Sequence, residues 1–210
     1  MPPEAILQAL TLSAADLPFS GPFDLTPVKD NVYRLSAGAR DLLLKWIQDG
    51  ETMHDEVRAN RDGLRGDPIA PPMVAAFEEE GGTIACWEWL DGADLRTSQR
   101  HLLPRGFGEL GAFHLRRRHD GPVVSPRSRL EHASVAEFVA AEKEVLLPLV
   151  DPASRRLCAE VLDRLLLGFG TFIHGDVHPG NIILTADGLR FVDWSLAIPS
   201  LNLLDLDYVE

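Results

Sequence analysis

The stretch "FIHGDVHPGNIILTADGLRFVDW", Phe172 to Trp194, packs histidines, aspartates and an asparagine between apolar runs. Two chemistries compete for it. His174, Asp176 and His178 alternate, so on a strand they would share one face, as the ligands of a hydrolytic metal must. Gly175, Pro179 and Gly180 make the segment a loop instead, and no histidine follows His178 to complete a binuclear pattern. A phosphotransfer reading uses more of the residues. In it a loop aspartate, Asp176, accepts the proton of a substrate hydroxyl, and Asn181, five residues on, holds a Mg²⁺ that bridges nucleotide phosphates. Asp193, just after the hairpin formed by "NIILT", the turn Ala186-Asp187-Gly188 and "LRFVDW", holds the metal from the other side. Hard oxygen ligands suit Mg²⁺, and a hairpin is a rigid device for bringing two of them together.

The rest of the chain bounds the choice. Its 210 residues, 45% apolar with mixed charge, allow one sizeable core or two small lobes. No apolar run approaches the roughly 20 residues that span a bilayer, and "MPPEAILQALTLSAADLPF" lacks the basic start of a secretion signal. Cys86 and Cys158 form neither a disulfide framework nor a zinc ribbon, which fits a reducing cytoplasm. A net charge of -12 excludes an extended nucleic-acid face and favours cationic small molecules. Against that trend, "HLRRRH" at 114 to 119 reads as a solvated helix end matched to the helix dipole.

Pattern divides the chain in two. The spacing predicts a short helix over 2–9 and again over 13–17, then a hairpin in "NVYRLSAGARDLLLKWI". A helix over 52–66, with Thr52 as its cap, precedes two strands, "MVAAF" and "TIACWEWL". Beyond "LDG" at 90 to 92, apolar stripes predict helices over 104–118, 134–149 and 153–169 before the 172–194 segment.

At the level of motif, "HGDVHPGN" with a downstream "VDW" resembles the aminoglycoside phosphotransferase and choline kinase-like family, relatives of protein kinases with HGD in place of HRD. The resemblance spans about residues 26 to 208 and is specific only in the 172 to 194 block. It implies an α+β, protein-kinase-like bilobal fold: a strand-rich N-lobe, 1–90, with one main helix, and a helix-rich C-lobe, 91–210, carrying the catalytic loop 174–181 and the metal-binding segment 191–194. It also implies that His174 props the loop through hydrogen bonds, while His178 either touches substrate or caps the loop.

A kinase-like fold needs a lysine on an early strand and a carboxylate on the next helix, whose ion pair aims the ammonium at the α and β phosphates of ATP or GTP. Lys45 in "DLLLKWI" and Glu56 in the 52–66 helix answer, with Asp55 as competitor. By resemblance "WEWLDG" is the hinge, with the Glu88 carbonyl and the Leu90 amide facing the nucleobase, and at least one of Trp87 and Trp89 in packing. One departure stands out: no glycine lies between Gly21 and Gly38, so a glycine-rich phosphate cradle is absent, and Lys29, Asp30 and Asn31 are left to cover the phosphates. Family members also continue further past the second aspartate. The acceptor pocket is therefore expected from the 93–170 helices, from a partner subunit in a homodimer, or to be incomplete, with Asp205 and Asp207 either facing an amine or hydroxyl of the substrate or, the preferred reading, capping a helix. The leading expectation is a kinase for a hydroxyl of a small molecule, a cationic one being favoured. A nucleotide-binding pseudokinase is the alternative and a metal-dependent hydrolase the remote one.

Overall fold

The computed structural model describes residues 3–12, 22–48, 54–96 and 99–206. Thr52, Asp207 and the 13–17 helix expectation lie outside them, as does the side chain of Asp55.

Helix α1 (Pro3–Leu12) leads into strands β1 (Phe23–Lys29), β2 (Val32–Ala37) and β3 (Arg40–Gln48), followed by α2 (His54–Ala59), β4 (Met73–Glu79) and β5 (Gly82–Glu88). The five strands make one antiparallel sheet in the order β1-β2-β3-β5-β4. Tight turns at Asp30-Asn31 and Gly38-Ala39 set the first two pairings. β5 is buried along nearly its whole length because helices cover both faces of the sheet. Ile6 and Leu10 of α1 pack with Leu35, Leu44 and Trp46 on one side. Val57 of α2 packs with Ile47, Ala85 and Trp87 on the other. β1 stands where the sequence pattern suggests a loop; Pro27 and its polar neighbours suit an edge strand, where a missing N–H is tolerated.

Helix α2 does not end cleanly. It runs into a π-helical turn, Asn60–Leu64, and then descends through Ile69 and Ala70 into the core of the second half. That half begins with β6 (Gly92–Asp94) and α3 (Leu103–Arg116), then the short pair β7 (Val123–Val124) and β8 (Glu131–His132). Helices α4 (Val135–Leu146) and α5 (Arg155–Arg164) come next, each prolonged by a 3₁₀ turn. The 172–194 segment is carried by β9 (Gly170–Ile173), β10 (Ile182–Thr185) and β11 (Gly188–Phe191), and β12 (Ile198–Leu201) lies just beyond it. β9 pairs with β12, and β10 sits between β11 and β6. The core beneath them joins Leu110 and Phe113 of α3 to Val177, Ile182, Phe191 and Trp194. The Phe191 N–H also bonds the Ile69 carbonyl at 2.7 Å, so the hairpin is anchored to the chain that descends from α2.

The basic cluster is solvated in part, with Arg116 and Arg118 exposed as expected, and tethered in part. His114 is buried, Arg116 and Arg117 pair with Asp67, the Arg118 guanidinium lies 5.0 Å over the Phe169 ring, and His119 bridges to Gly170. These residues tie the end of α3 to its surroundings while leaving guanidinium groups in solvent.

Candidate active site

The loop between β9 and β10 is built from its backbone outward. Gly175 has φ 81°, a conformation that costs a side-chain-bearing residue dearly, and a Cβ there would lie 2.6 Å from the Leu196 carbonyl oxygen. His174, fully buried, uses both ring nitrogens: Nδ1 accepts the Asp176 N–H at 3.2 Å, and Nε2 donates to the Val192 carbonyl at 2.9 Å. Those two bonds define the neutral Nε2–H tautomer, and burial lowers the imidazole's pKa below its usual value.

Beneath the loop sits Asp205, which braces main-chain amides of the loop instead of capping a helix. It is 1% exposed; its Oδ2 accepts the His174 N–H at 2.8 Å and its Oδ1 the Gly175 N–H at 2.7 Å. His114 Nε2 of α3 completes the arrangement at 2.9 Å from Oδ2. The sequence held one signal for His114, its place on the apolar stripe of α3. It held none for Asp205, whose partners are main-chain amides some thirty residues upstream.

Asp176 is half-buried. Asn181 Nδ2 donates to its carbonyl at 3.0 Å and to its Oδ2 at 3.1 Å, while His178 Nε2 stands 3.7 Å from the same carboxylate oxygen. His178 Nδ1 accepts the Gly180 N–H at 3.0 Å and so caps the 3₁₀ turn Pro179–Asn181, the second of the two roles weighed for it. With its amide nitrogen on Asp176, Asn181 carries a side-chain carbonyl oxygen of the kind that can hold a cation. The Val192 N–H bonds the Asn181 main-chain carbonyl at 2.9 Å, which fixes Asn181 beside the segment that carries Asp193.

Lys45 and Glu56 meet across β3 and α2 at 2.6 Å, both 3% exposed. The Lys45 ammonium also lies 3.4 Å from Asp193 Oδ1 and 5.4 Å over the Trp87 ring. Burial alone would lower its pKa; the carboxylates of Glu56 and Asp193 outweigh it and hold it above the usual lysine value. Burial is the larger effect on Glu56 and raises its carboxyl above the usual range, against the lowering by Lys45 and the nearby Trp194 backbone amide. Asp193 adopts the left-handed conformation, φ 64°, which aspartate tolerates better than most residues. Burial would raise its carboxyl, but Lys45 and Lys29 bring it below the usual range. Lys29 Nζ stands 3.6 Å from Asp193 Oδ2.

Lys45, Glu56 and Asp193 thus form one network and Asp176, Asn181 and His178 another, joined through Val192. Asp193 and Asn181 together offer a carboxylate and an amide oxygen at the two ends of one hairpin, a hard donor set of the kind Mg²⁺ takes. The histidines of the hydrolase reading do not converge: His174 is committed on both nitrogens and His178 on Nδ1. Among the described residues no group of three His, Cys, Asp or Glu side chains is placed to hold a metal.

The expected hinge residues stand apart from both networks. The Glu88 N–H bonds the Pro72 carbonyl at 2.9 Å, the Trp89 N–H bonds the Asp41 carbonyl at 3.3 Å, and Leu90 comes next, half-buried. Trp87 is a core residue, whereas Trp89 stacks under the Arg34 guanidinium at 4.8 Å. Glu88 and Leu90 also border a cavity of about 790 Å³ with Leu64, Met73 and the turn Thr185–Asp187. Neither network lines it.

A five-stranded sheet bearing a lysine–glutamate pair, connected to a helical half with a loop aspartate and a hairpin between two further oxygen donors, is the bilobal architecture of the kinase-like phosphotransferases. The sequence profile of the phosphotransferase enzyme family, known as APH, matches residues 26–206, and the chain belongs to that family. No curated protein matches it in sequence. Among solved structures, it is similar to a thermostable mutant of aminoglycoside phosphotransferase APH(4)-Ia in ternary complex with ADP and hygromycin B, with 13% identity, TM-score 0.58, and 96% of this chain and 75% of that one covered. It is also similar to choline kinase LicA from Streptococcus pneumoniae, with 16% identity, TM-score 0.56, and 98% and 75% covered. At such identities the likeness speaks for the fold. Family and fold together make the chain a phosphotransferase family member with a kinase-like fold.

Proposed function

We propose that the chain transfers the terminal phosphoryl group of ATP or GTP to a hydroxyl of a small, cationic molecule, with Asp176 as the residue that receives the hydroxyl proton. The observation that carries this reading is the pairing of the two networks. A buried Lys45–Glu56 pair reaches Asp193 at one end of the β10–β11 hairpin, and Asp176 is oriented by Asn181 at the other.

In the reaction the acceptor oxygen attacks the γ-phosphorus, the bond to the β-phosphate oxygen breaks, and the nucleoside diphosphate leaves. The hydroxyl proton passes to Asp176, whose Oδ2 is held by Asn181 so that the other oxygen faces the acceptor. Lys45, kept charged by two carboxylates, orients the α and β phosphates and stabilises the charge that develops on the leaving side. Glu88 and Leu90 offer a carbonyl and an amide to the base. Asn181 and Asp193 would hold Mg²⁺, which supplies charge neutralisation of the phosphates when bound. His174 and Asp205 keep the loop in place without touching substrate.

The net charge of -12 supports a cationic acceptor and no nucleic-acid partner, and among the described residues no helix is long and apolar enough to cross a membrane. Two free cysteines, Cys86 buried with its thiol pushed up to about 12, suit a reducing cytoplasm. A homodimer is part of the same reading; Leu149 and Leu167 are 76% and 84% exposed, and light scattering gives the mass.

A thermal-shift titration with ATP and GTP, with and without Mg²⁺, is the first test. A metal-dependent rise with one nucleotide is expected, and Asp193→Ala should remove it; no shift with either nucleotide would sink the reading. Phosphate transfer to a panel of amino-alcohols and aminoglycosides, abolished in Asp176→Asn, separates an enzyme from a protein that only binds nucleotide.

A further inference from the structure

One carboxylate in the cleft is claimed from two sides. Asp193 Oδ1 faces Lys45 at 3.4 Å and Oδ2 faces Lys29 at 3.6 Å. The two lysines differ in kind. Lys45 is buried and locked to Glu56, whereas the Lys29 side chain is 62% exposed at the end of β1. An ion pair made by so exposed an ammonium is weak and readily exchanged for another anion.

Lys29 also occupies an unusual place in the sheet. It is the last residue of β1, paired with Val32 across the two-residue turn Asp30-Asn31, with a bulge between Pro27 and Lys29. Asn31, at φ 57°, supplies the left-handed residue that the turn requires. No residue of this turn is glycine, so the main chain cannot approach phosphates as a glycine-rich loop does. The turn instead places an ammonium within reach of Asp193.

We propose that Lys29 is a phosphate-binding residue that stands in for the missing loop. It rests on Asp193 Oδ2 while the cleft holds no nucleotide, and passes its ammonium to the terminal phosphates of the donor when nucleotide enters. The assignment depends on the chain being a nucleotide-dependent phosphotransferase. Lys45 is tied to Glu56 and cannot leave it; Lys29 is the cation of the pair that is free to move. Because it approaches from the Asp193 side, it recognises the β and γ phosphates and is indifferent to the base and ribose. In the resting state it competes with a divalent cation for Asp193.

The test is a ladder of ligands measured by calorimetry on wild type, Lys29→Gln and Lys29→Arg: the nucleoside, its mono- and diphosphate, and a non-hydrolysable triphosphate, of whichever base the thermal-shift titration selects. Lys29→Gln should weaken the triphosphate analogue about tenfold, roughly 1.4 kcal/mol, weaken the diphosphate less, and leave the nucleoside unchanged. Lys29→Arg should keep most of the triphosphate affinity. Mn²⁺ alone, followed by electron paramagnetic resonance, should bind Lys29→Gln roughly two- to fivefold more tightly than wild type, as removal of a weak competing ion pair allows. Opposite signs for metal and triphosphate are not produced by a merely structural defect. Unchanged triphosphate affinity in Lys29→Gln, or an equal loss for nucleoside and triphosphate, would overturn the proposal while leaving the phosphotransferase reading intact. A wild-type chain that binds none of the four would overturn that reading as well.

Discussion

Lys45 shows why the chemistry of this cleft is also a folding matter. Its pair with Glu56 is almost wholly buried, so removing one charge strands the other. Lys45→Met should cost about 3–5 kcal/mol in urea unfolding as well as phosphotransfer. Lys45→Met combined with Glu56→Leu should recover most of the stability and none of the activity; if activity returned with the fold, Lys45 would have no part in the reaction. His174 gives a pH signature. Its pKa is lowered in the folded state, while the unfolded histidine titrates near its ordinary value of about 6.5. The unfolded chain therefore binds the proton first as pH falls, and the stabilisation present above pH ~6.5 is lost below it at up to about 1.4 kcal/mol per pH unit. Between about pH 7.5 and 5.5, a window that brackets that value, wild type should lose more stability than His174→Gln, and parallel urea midpoints for the two proteins would contradict the buried neutral imidazole.

At the scale of the element, the β9–β10 loop is held by a few main-chain bonds whose geometry leaves little freedom. Gly175→Ala puts a methyl group against the Leu196 carbonyl at a φ that alanine avoids, at a cost of about 1–3 kcal/mol. Since Gly175 also donates to Asp205, the strain should displace Asp176; kcat should fall more than nucleotide affinity does, and an equal loss in both would place the defect elsewhere. Some of these elements could be read from sequence and others could not, for physical reasons. Asp176, Asn181 and Asp193 were legible because loop and hairpin are local: their spacing along the chain is their spacing in the site. Lys45 was legible as a charge amid the apolar residues of β3. Asp205 was not, because its partners are backbone groups distant in sequence, and a lone aspartate near a helical turn looks like a cap. β1 was hidden by Pro27, and β9 and β12, four residues each, are too short to show alternation.

The whole molecule adds its field to these contacts. With 32 acidic against 20 basic side chains, the chain attracts cations at a distance, an effect that salt screens within about 8 Å at physiological ionic strength. The KM for a cationic acceptor should therefore rise with added salt while that for a neutral amino-free analogue does not; equal responses would detach acceptor choice from net charge. The two halves are also linked by the descent of α2 into the lower core and by the Lys45–Asp193 ion pair.

Trp194 stands where those links cross. Its indole lies 4.5 Å from the His174 ring and 5.4 Å from that of Phe113, with its N–H fixed to the Phe191 carbonyl at 2.8 Å, one residue from Asp193. A protonated imidazole at that distance quenches an excited indole by electron transfer, whereas a neutral one does so far less. The protein consequently carries an optical gauge of its own site: with the other three tryptophans replaced by phenylalanine, the fluorescence of this buried indole should dim as His174 takes up a proton and shift in wavelength when a ligand arrives at Asp193.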